Sequence, residues 1–451
     1  MSTVFSMEGY DDVETLTCEF KTSITIQDEK LNYLLLDDNE DEGDNSKNCH
    51  ENFSDMNPIG ITSDTIPIPS KFQHQRRNLA IANSYEVGIR KSYVNKSSGI
   101  KTTYKPKLMD FEPIKVLGKG SFGKVLLVRE IATGKLFAQK QLKKATFIIN
   151  ENTNEINEIN YKRTLNEKTI LETVNHPNIV KLYYAFQDNN KVYLILEYLD
   201  GGELFHHLAQ ERFMTEKNAS YYIAQIILAL RYLHCNLKVI YRDLKPENCM
   251  LNNQGNLVLT DFGLSKEVNN NEKKNHSMTG TAQYMAPEVI KGEPYDYSVD
   301  WWSLGCVAYD LLVGQPPFTG NNSKKIMDKI LASTKKSLKF PFYLSNDAKD
   351  LLRKLLQVDP EKRLNIDEDF TKLKNHPFFR HINWKELETN SSNLLPPILP
   401  IITDPILAEN FDNDFTDMPF TPQTHNNYLG KDIFHVKGFS YTNESYLNSR
   451  S

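Results

Sequence analysis

Cysteine is scarce in this sequence and never closely paired. The five cysteines (Cys18, Cys49, Cys235, Cys249, Cys306) are an odd number and form no C-x-x-C pair. That argues against a disulfide frame or a thiolate zinc site and fits a reducing compartment. Long apolar runs are also missing: none approaches the roughly 18–20 residues that a membrane-spanning helix needs. Excess positive charge is lacking as well. A net charge of −5 over 451 residues gives no basis for bulk nucleic-acid binding. Acids at Glu8, Asp11 and Asp12 stand where a secretory signal would be basic and then apolar. Nothing at the C-terminus resembles a prenylation box. The expectation is a soluble intracellular protein without a transmembrane segment, cytoplasmic or nuclear as well. At 39% hydrophobic and 25% charged residues, there is ample material for a core.

The first 70 residues hold 16 Asp or Glu against 3 Lys, and residues 71–105 hold 8 Lys or Arg against 1 Glu. Neither stretch has regular apolar periodicity. Residues 1–105 therefore read as a mostly disordered extension, acidic and then basic. A lipid-binding pleckstrin-type domain would fit the length but normally carries a tryptophan in its closing helix. All three tryptophans lie at 301, 302 and 384.

From Phe111 the texture changes. Val125–Val128, Leu136–Ala138, Val192–Leu196 and Leu257–Leu259 read as strands. The spacing of Leu165, Ile170 and Leu171 predicts a helix. Ile223, Ile226, Ile227, Leu230 and Leu233 predict a second, buried one. The Asn/Glu-rich stretch 149–160 reads as an inserted surface loop. Strands first and helices later suggest an α+β chain in two lobes.

Gly118-Lys119-Gly120-Ser121-Phe122-Gly123-Lys124-Val125 fits G-x-G-x-x-G-x-V. Missing side chains let backbone N–H groups approach phosphate oxygens. Alone, the pattern is also an ordinary turn. A dinucleotide crevice would place a helix after it, and here a strand follows. Lys140 ends the next strand pattern. Buried there, it needs a counter-charge, which Glu167 and a ligand phosphate can supply; an exposed lysine on an edge strand is the alternative.

The most specific string is Tyr241-Arg242-Asp243-Leu244-Lys245-Pro246-Glu247-Asn248, followed by Asp261-Phe262-Gly263. Phosphoryl transfer needs a carboxylate to accept the hydroxyl proton, oxygen ligands for Mg²⁺ and cations on the migrating group. Asp243 suits the base and Lys245 the cation. Asn248 and Asp261 offer hard oxygen ligands for Mg²⁺. Ala286-Pro287-Glu288 closes the following segment, and an ion pair between Glu288 and Arg363 is expected.

These residues resemble the protein kinases of the AGC group, from about Asp110 to the end of the chain. The ribosomal-protein kinases and protein kinase B are the similar branches. The resemblance implies a bilobal kinase fold over 111–379, with a β-rich lobe 111–198 and a helical lobe 199–379, then a regulatory tail 380–451. It implies a monomeric serine/threonine kinase using ATP and Mg²⁺. Around the nucleotide it implies Leu117, Gly118, Gly120, Ser121, Phe122, Gly123, Val125, Ala138, Lys140 and Glu167. The gatekeeper would be Leu196, and Glu197 and Leu199 would bond adenine by their backbone. Glu203 would reach the ribose, and Phe415 would come from the tail Phe411-Asp412-Asn413-Asp414-Phe415-Thr416.

Glu203, Glu247, Thr281 and Asp328 would face protein substrates. Carboxylates grip guanidinium groups, so these substrates would be basic. Ser277, Thr421 and Ser440 match phosphosites of the activation loop, turn motif and hydrophobic motif, which implies upstream activating kinases as partners. Phosphate on Ser277 would pair with Arg242.

Some residues depart from the group. Val436 stands where the hydrophobic motif opens with Phe, which implies weaker docking. Thr279 and Gln283 stand where Cys and Glu are common. Arg76-Arg77-Asn78-Leu79-Ala80-Ile81 resembles a basic substrate site without a hydroxyl, so it reads either as an inhibitor in cis or as a plain basic segment.

Overall fold

The strand-forming run that begins at Phe111 folds as an antiparallel sheet. The computed structural model describes residues 104–120, 123–150, 155–208, 212–268, 276–333, 338–389, 394–419 and 435–449. The expectations for residues before 104, for Ser121, Phe122 and Thr421, and for Arg76–Ile81 fall outside these.

β1 (Phe111–Gly120), β2 (Gly123–Glu130) and β3 (Leu136–Lys143) form a meander. β4 (Ile148–Asn150) and β5 (Glu155–Ile156) pair in a short hairpin. Helix α1 spans Glu158–Thr173. β6 (Leu182–Gln187) and β7 (Lys191–Glu197) complete the small lobe. The stretch 149–160 is therefore not all loop. Asn157 accepts a hydrogen bond from the Asn160 N–H and starts α1. Asparagine is a favourable N-cap, and Glu158 suits the positive end of the helix.

Alternation along β3 sorts the sheet's two faces. Phe137 packs in an outer cluster with Phe111, Val116, Leu126, Val128, Tyr184 and Ile195. Ala138, one residue on, faces the cleft with Leu117 and Val125.

The large lobe is built on α2 (Glu216–Arg231), capped by Thr215 and buried along most of its length. It runs into a π-turn, Tyr232–Leu237, that ends at Lys238 in the left-handed region. β8 (Val239–Ile240), β9 (Cys249–Leu251), β10 (Leu257–Leu259) and β11 (Lys266–Glu267) follow. They form two ribbons, β8 with β11 and β9 with β10. α3 (Pro287–Ile290), α4 (Ser298–Val313), α5 (Ser323–Leu331), α6 (Asn346–Leu355), α7 (Phe370–Lys374) and α8 (Trp384–Glu388) complete the lobe. α4 is buried almost all round, with Trp301 and Trp302 fully enclosed. That makes it the rigid post against which the loops are set.

The chain then returns to the small lobe. α9 (Asn413–Thr416) lies against β1. β12 (Tyr441–Thr442) pairs with β6 as a sixth strand, giving the order β1-β2-β3-β7-β6-β12. α10 (Glu444–Asn448) ends the described tail. Among the described residues no helix is long and apolar enough to cross a membrane.

Candidate active site

The glycine pattern falls on the β1–β2 turn. A Cβ on Gly118 or Gly120 would meet nothing within 4 Å, so these backbones face open space that a ligand can approach. Gly123 is different: a Cβ there would fall 1.7 Å from the Gln141 carbonyl oxygen, so only glycine lets β2 lie against β3. Behind the turn, Leu117, Val125 and Ala138 line an apolar surface with Tyr198 and Phe411. Leu196 ends the run of β7 and packs at the edge of the main core. The Glu197 N–H donates to the Lys181 carbonyl at 2.9 Å, which fixes the strand that connects the lobes.

The tail contributes a different phenylalanine from the one expected. Phe411 stacks on Tyr198 with ring centroids 5.9 Å apart and joins the cleft cluster. Phe415 instead packs on the outer face of the sheet with Phe111, Phe186 and Met418. The two lie four residues apart, and α9 begins between them. The turn into that helix sends Phe415 over the lobe and leaves Phe411 at the cleft.

Lys140 meets two carboxylates. Its Nζ is 2.7 Å from Glu167 Oε1 and 2.9 Å from Asp261 Oδ1. Burial works to lower the Lys140 pKa, but Asp261 and Glu167 outweigh it and hold the ammonium above its ordinary value. Asp261 is held down to about 2, chiefly by Lys140 and against burial. Phe262 is fully buried and packs edge-on to Tyr241 at 5.1 Å. β3, α1 and the segment after β10 are thus tied together at one point.

The loop after β8 carries the other half of the site. Asp243 is buried, with Oδ2 at 3.0 Å from Lys245 Nζ. The Asn248 amide donates to the Asp243 carbonyl at 2.7 Å and to Oδ2 at 3.0 Å. Among the described residues, Asp243 Oδ1 is buried without a hydrogen-bond partner. Burial raises the Asp243 carboxyl to about 6, with Lys245 working against the rise. A buried carboxylate oxygen with no donor is costly unless something supplies one. A substrate hydroxyl can.

Two residues here adopt left-handed backbone, Arg242 at φ 65° and Asp261 at φ 54°. Such non-glycine residues cost about 1–3 kcal/mol each and persist where neighbours over-determine them. Asp300 of α4 does this for Arg242. It accepts the Tyr241 N–H at 2.7 Å and the Arg242 N–H at 2.8 Å. Asp261 is fixed by Lys140 and by the Gly263 N–H at 3.1 Å.

The donor set fits a hard divalent cation. Asp261 stays ionised, and Asn248 spends its nitrogen on Asp243, leaving its carbonyl oxygen as a ligand. No group of three His, Cys, Asp or Glu that could hold a metal exists among the described residues. A hard divalent ion held by Asn248 and Asp261 would borrow its remaining ligands from phosphate and water.

The acids expected to face a substrate are only partly grouped. Glu203 is raised to about 7 by desolvation first, then by the charges of Glu247 and Asp412. Asp412 comes from the tail and was not foreseen. Asp328 stands exposed on α5, outside the charges that shift Glu203.

Ser277 accepts from Arg242 Nη1 at 2.9 Å and lies 3.1 Å from the Tyr295 hydroxyl. Arg163 of α1 also lies within electrostatic reach of Arg242. Nothing in the chain around Arg163 marks it separately. Thr281 is half-buried after Gly280, whose φ is 119°, and its carbonyl accepts the Tyr284 N–H. The expected Glu288–Arg363 pair is present and bidentate, at 2.6 and 2.9 Å, and buried.

The tail's last elements seat on α1 and β6. Val436 and Phe439 are 1% and 0% exposed. The Gln187 amide both donates to and accepts from the Val436 backbone at 2.9 Å. Lys168, next to Glu167, donates to the Gly438 carbonyl at 2.8 Å. Ser440 is exposed beside this contact.

Residues 111–379 match the family model described as protein kinase domain. The chain is 43% identical over 399 residues to the serine/threonine-protein kinase YPK3 of Saccharomyces cerevisiae, covering 75% of this chain and 76% of that one. It is 44% identical over 327 residues to Sgk1 of Danio rerio, covering 72% of each. It is 43% identical over 318 residues to a RAC family kinase homolog of Dictyostelium discoideum, covering 70% of this chain and 68% of the other. A glycine turn before the Lys140 ion pairs, a buried Asp243 and relatives of this kind have one reading: the chain belongs to the protein kinase family, in its AGC group of serine/threonine kinases.

Proposed function

We propose that this kinase phosphorylates serine or threonine in basic, arginine-bearing protein substrates, and that phosphate on Ser277, Ser440 and Thr421 switches it on. The buried, undonated Oδ1 of Asp243 carries the catalytic part of this reading. That oxygen receives the proton of the attacking hydroxyl. Lys245, 3.0 Å from the other oxygen, keeps Asp243 ionised against its burial and offers a cation to the moving phosphoryl group. Lys140, aligned by Glu167, meets the ATP phosphates over the Gly118–Gly123 turn. Leu117, Val125, Ala138, Leu196 and Phe411 enclose the adenine, with backbone bonds from Glu197 and Leu199. Asn248 and Asp261 would hold Mg²⁺, which when bound neutralises phosphate charge.

Glu203 and Glu247 grip arginine side chains of the substrate, while Thr281 lies on the hydroxyl side and Asp328 at the periphery. Paired carboxylates in a concave site lower their mutual repulsion by taking up a guanidinium. That fits the raised pKa of Glu203. Phosphate on Ser277 would find Arg242 in contact and Arg163 nearby. Phosphorylation of an arrayed peptide library, with and without phosphate on Ser277, tests both halves. Arginine enrichment upstream of the acceptor that is lost in Glu203→Gln supports the reading. Equal rates for peptides with and without arginine overturn it.

A further inference from the structure

His234 sits in the π-turn after α2, 1% exposed at its side chain, between two carboxylates. Its Nε2 is 2.8 Å from Asp300 Oδ2, and its Nδ1 is 2.9 Å from Asp367 Oδ2. Asp300 is the residue that accepts the Tyr241 and Arg242 N–H groups. Asp367 lies 133 residues from His234, in the loop between Arg363 and α7.

We propose that Asp367 is a positioning residue for phosphoryl transfer: it holds His234 as a two-sided hydrogen-bond donor, and His234 in turn holds Asp300 against the catalytic-loop backbone.

A neutral imidazole has one N–H and one lone pair. Between two carboxylates its lone pair would face an anion at hydrogen-bond distance. Only the imidazolium donates on both sides. Burial opposes that charge, yet the bonds and charges of Asp300 and Asp367 raise His234 to about 9. No cation is among the groups that shift it. Tyr297 and Trp301 of the α4 region close the ring in, each with its centroid 4.9 Å away. On its own turn the Cys235 thiol leans on Asp367 Oδ1 at 3.6 Å. Arg231 and Lys238 flank that thiol and act on it.

Without Asp367, one carboxylate alone would keep the proton against full burial. His234 would then titrate in the working range. Once neutral, it can turn its N–H away from Asp300. The same loop also carries Arg363, which grips Glu288. One short loop therefore braces both the catalytic loop and the end of the activation segment.

The test uses the full chain at matched Ser277 phosphorylation, with a basic peptide between pH 6.5 and 8.5. Asp367→Asn keeps shape and folding but removes the charge. Its kcat loss should grow from about twofold at the acid end to about tenfold at the alkaline end, with KM for ATP unchanged. Asp367→Glu should recover most of the loss. NMR of ¹³C-histidine-labelled protein should show His234 losing its second proton across that range in Asp367→Asn and keeping it in the unchanged chain. His234→Gln, which can donate but carries no charge, should have lowered kcat with no pH trend, and adding Asp367→Asn to it should cost little more. The proposal falls if the loss in Asp367→Asn is the same at every pH, if kcat does not change, if His234 stays doubly protonated in that variant, or if the two substitutions act additively. None of these readouts depends on which peptide is preferred, so they are separate from the substrate proposal.

Discussion

The loop bearing Asp243 and the helix bearing Glu167 are held in opposite ways. Around Asp243, each support comes from the large lobe: Asp300, Lys245 and Asn248, with His234 behind them. Glu167 sits on a helix whose next residue, Lys168, bonds the Gly438 carbonyl of the tail. Val436 and Phe439 are buried in the same apolar cluster as Ile170 and Leu171 of that helix. The proposed base is thus held from within its lobe, while the helix of the Lys140–Glu167 pair is bonded to a segment some 270 residues away. A substitution near Asp243 should act on chemistry directly, whereas one in the tail should act through the alignment of α1.

The largest effect expected on the built-in side is from Asp243→Asn. Loss of a general base typically removes about 10²–10⁴-fold in rate, so kcat should fall by that order with nucleotide affinity retained by fluorescence titration. Persistence of kcat would break the comparison at its root. On the borrowed side, Phe439→Ala should reduce kcat by about 5–150-fold, the range of a coupling of 1–3 kcal/mol. Hydrogen exchange should rise in α1 and stay unchanged in the loop around Asp243. Equal rises in both would mean that the tail supports the whole molecule.

pH sharpens the contrast further. The Asp243 carboxyl is raised to about 6, and in its proposed role as base it must be ionised. kcat should therefore fall about tenfold per pH unit below that value and level off above it. Lys245 holds the pKa down, so Lys245→Met should move the falling limb to higher pH, whereas Phe439→Ala should leave its position unchanged. Stability separates the regions too. Glu288→Gln strands Arg363 in a buried site and should cost about 3–5 kcal/mol by denaturant melts. The smallest effect should come from Glu444→Ala. Its pair with Lys105 is mostly exposed on both sides, and such pairs contribute about 0–1 kcal/mol.

Much of this arrangement was legible in the sequence, and what was not has a physical reason. Asp243, Lys245, Asn248 and Asp261 lie within a short span, and their chemistry fixes their spacing. Lys140 could be read because a cation closing a buried strand needs a partner. Asp367 could not. It meets His234 only because α7's approach and the π-turn after α2 converge in the folded lobe. Arg163 is one basic residue on an exposed-looking helix until Arg242 lies beside it. Phe411 and Phe415 are equivalent in a string of alternating acids and aromatics. Only the start of α9 separates them. The inserted stretch was read from composition, which hid that Asn157 is a good helix cap.

β12 has a consequence outside catalysis. A six-stranded order with β12 at the end means that β6 is no longer an edge. The backbone of Tyr183 and Tyr184, bonded by Asn443 and paired with Thr442, would otherwise face water as an open template for another strand. A chain whose tail has not yet docked carries that sticky edge, with Tyr183 and Tyr184 beside it. Docking the last residues therefore also guards against aggregation. A newly made chain would cover that edge in the same step that seats its tail on α1.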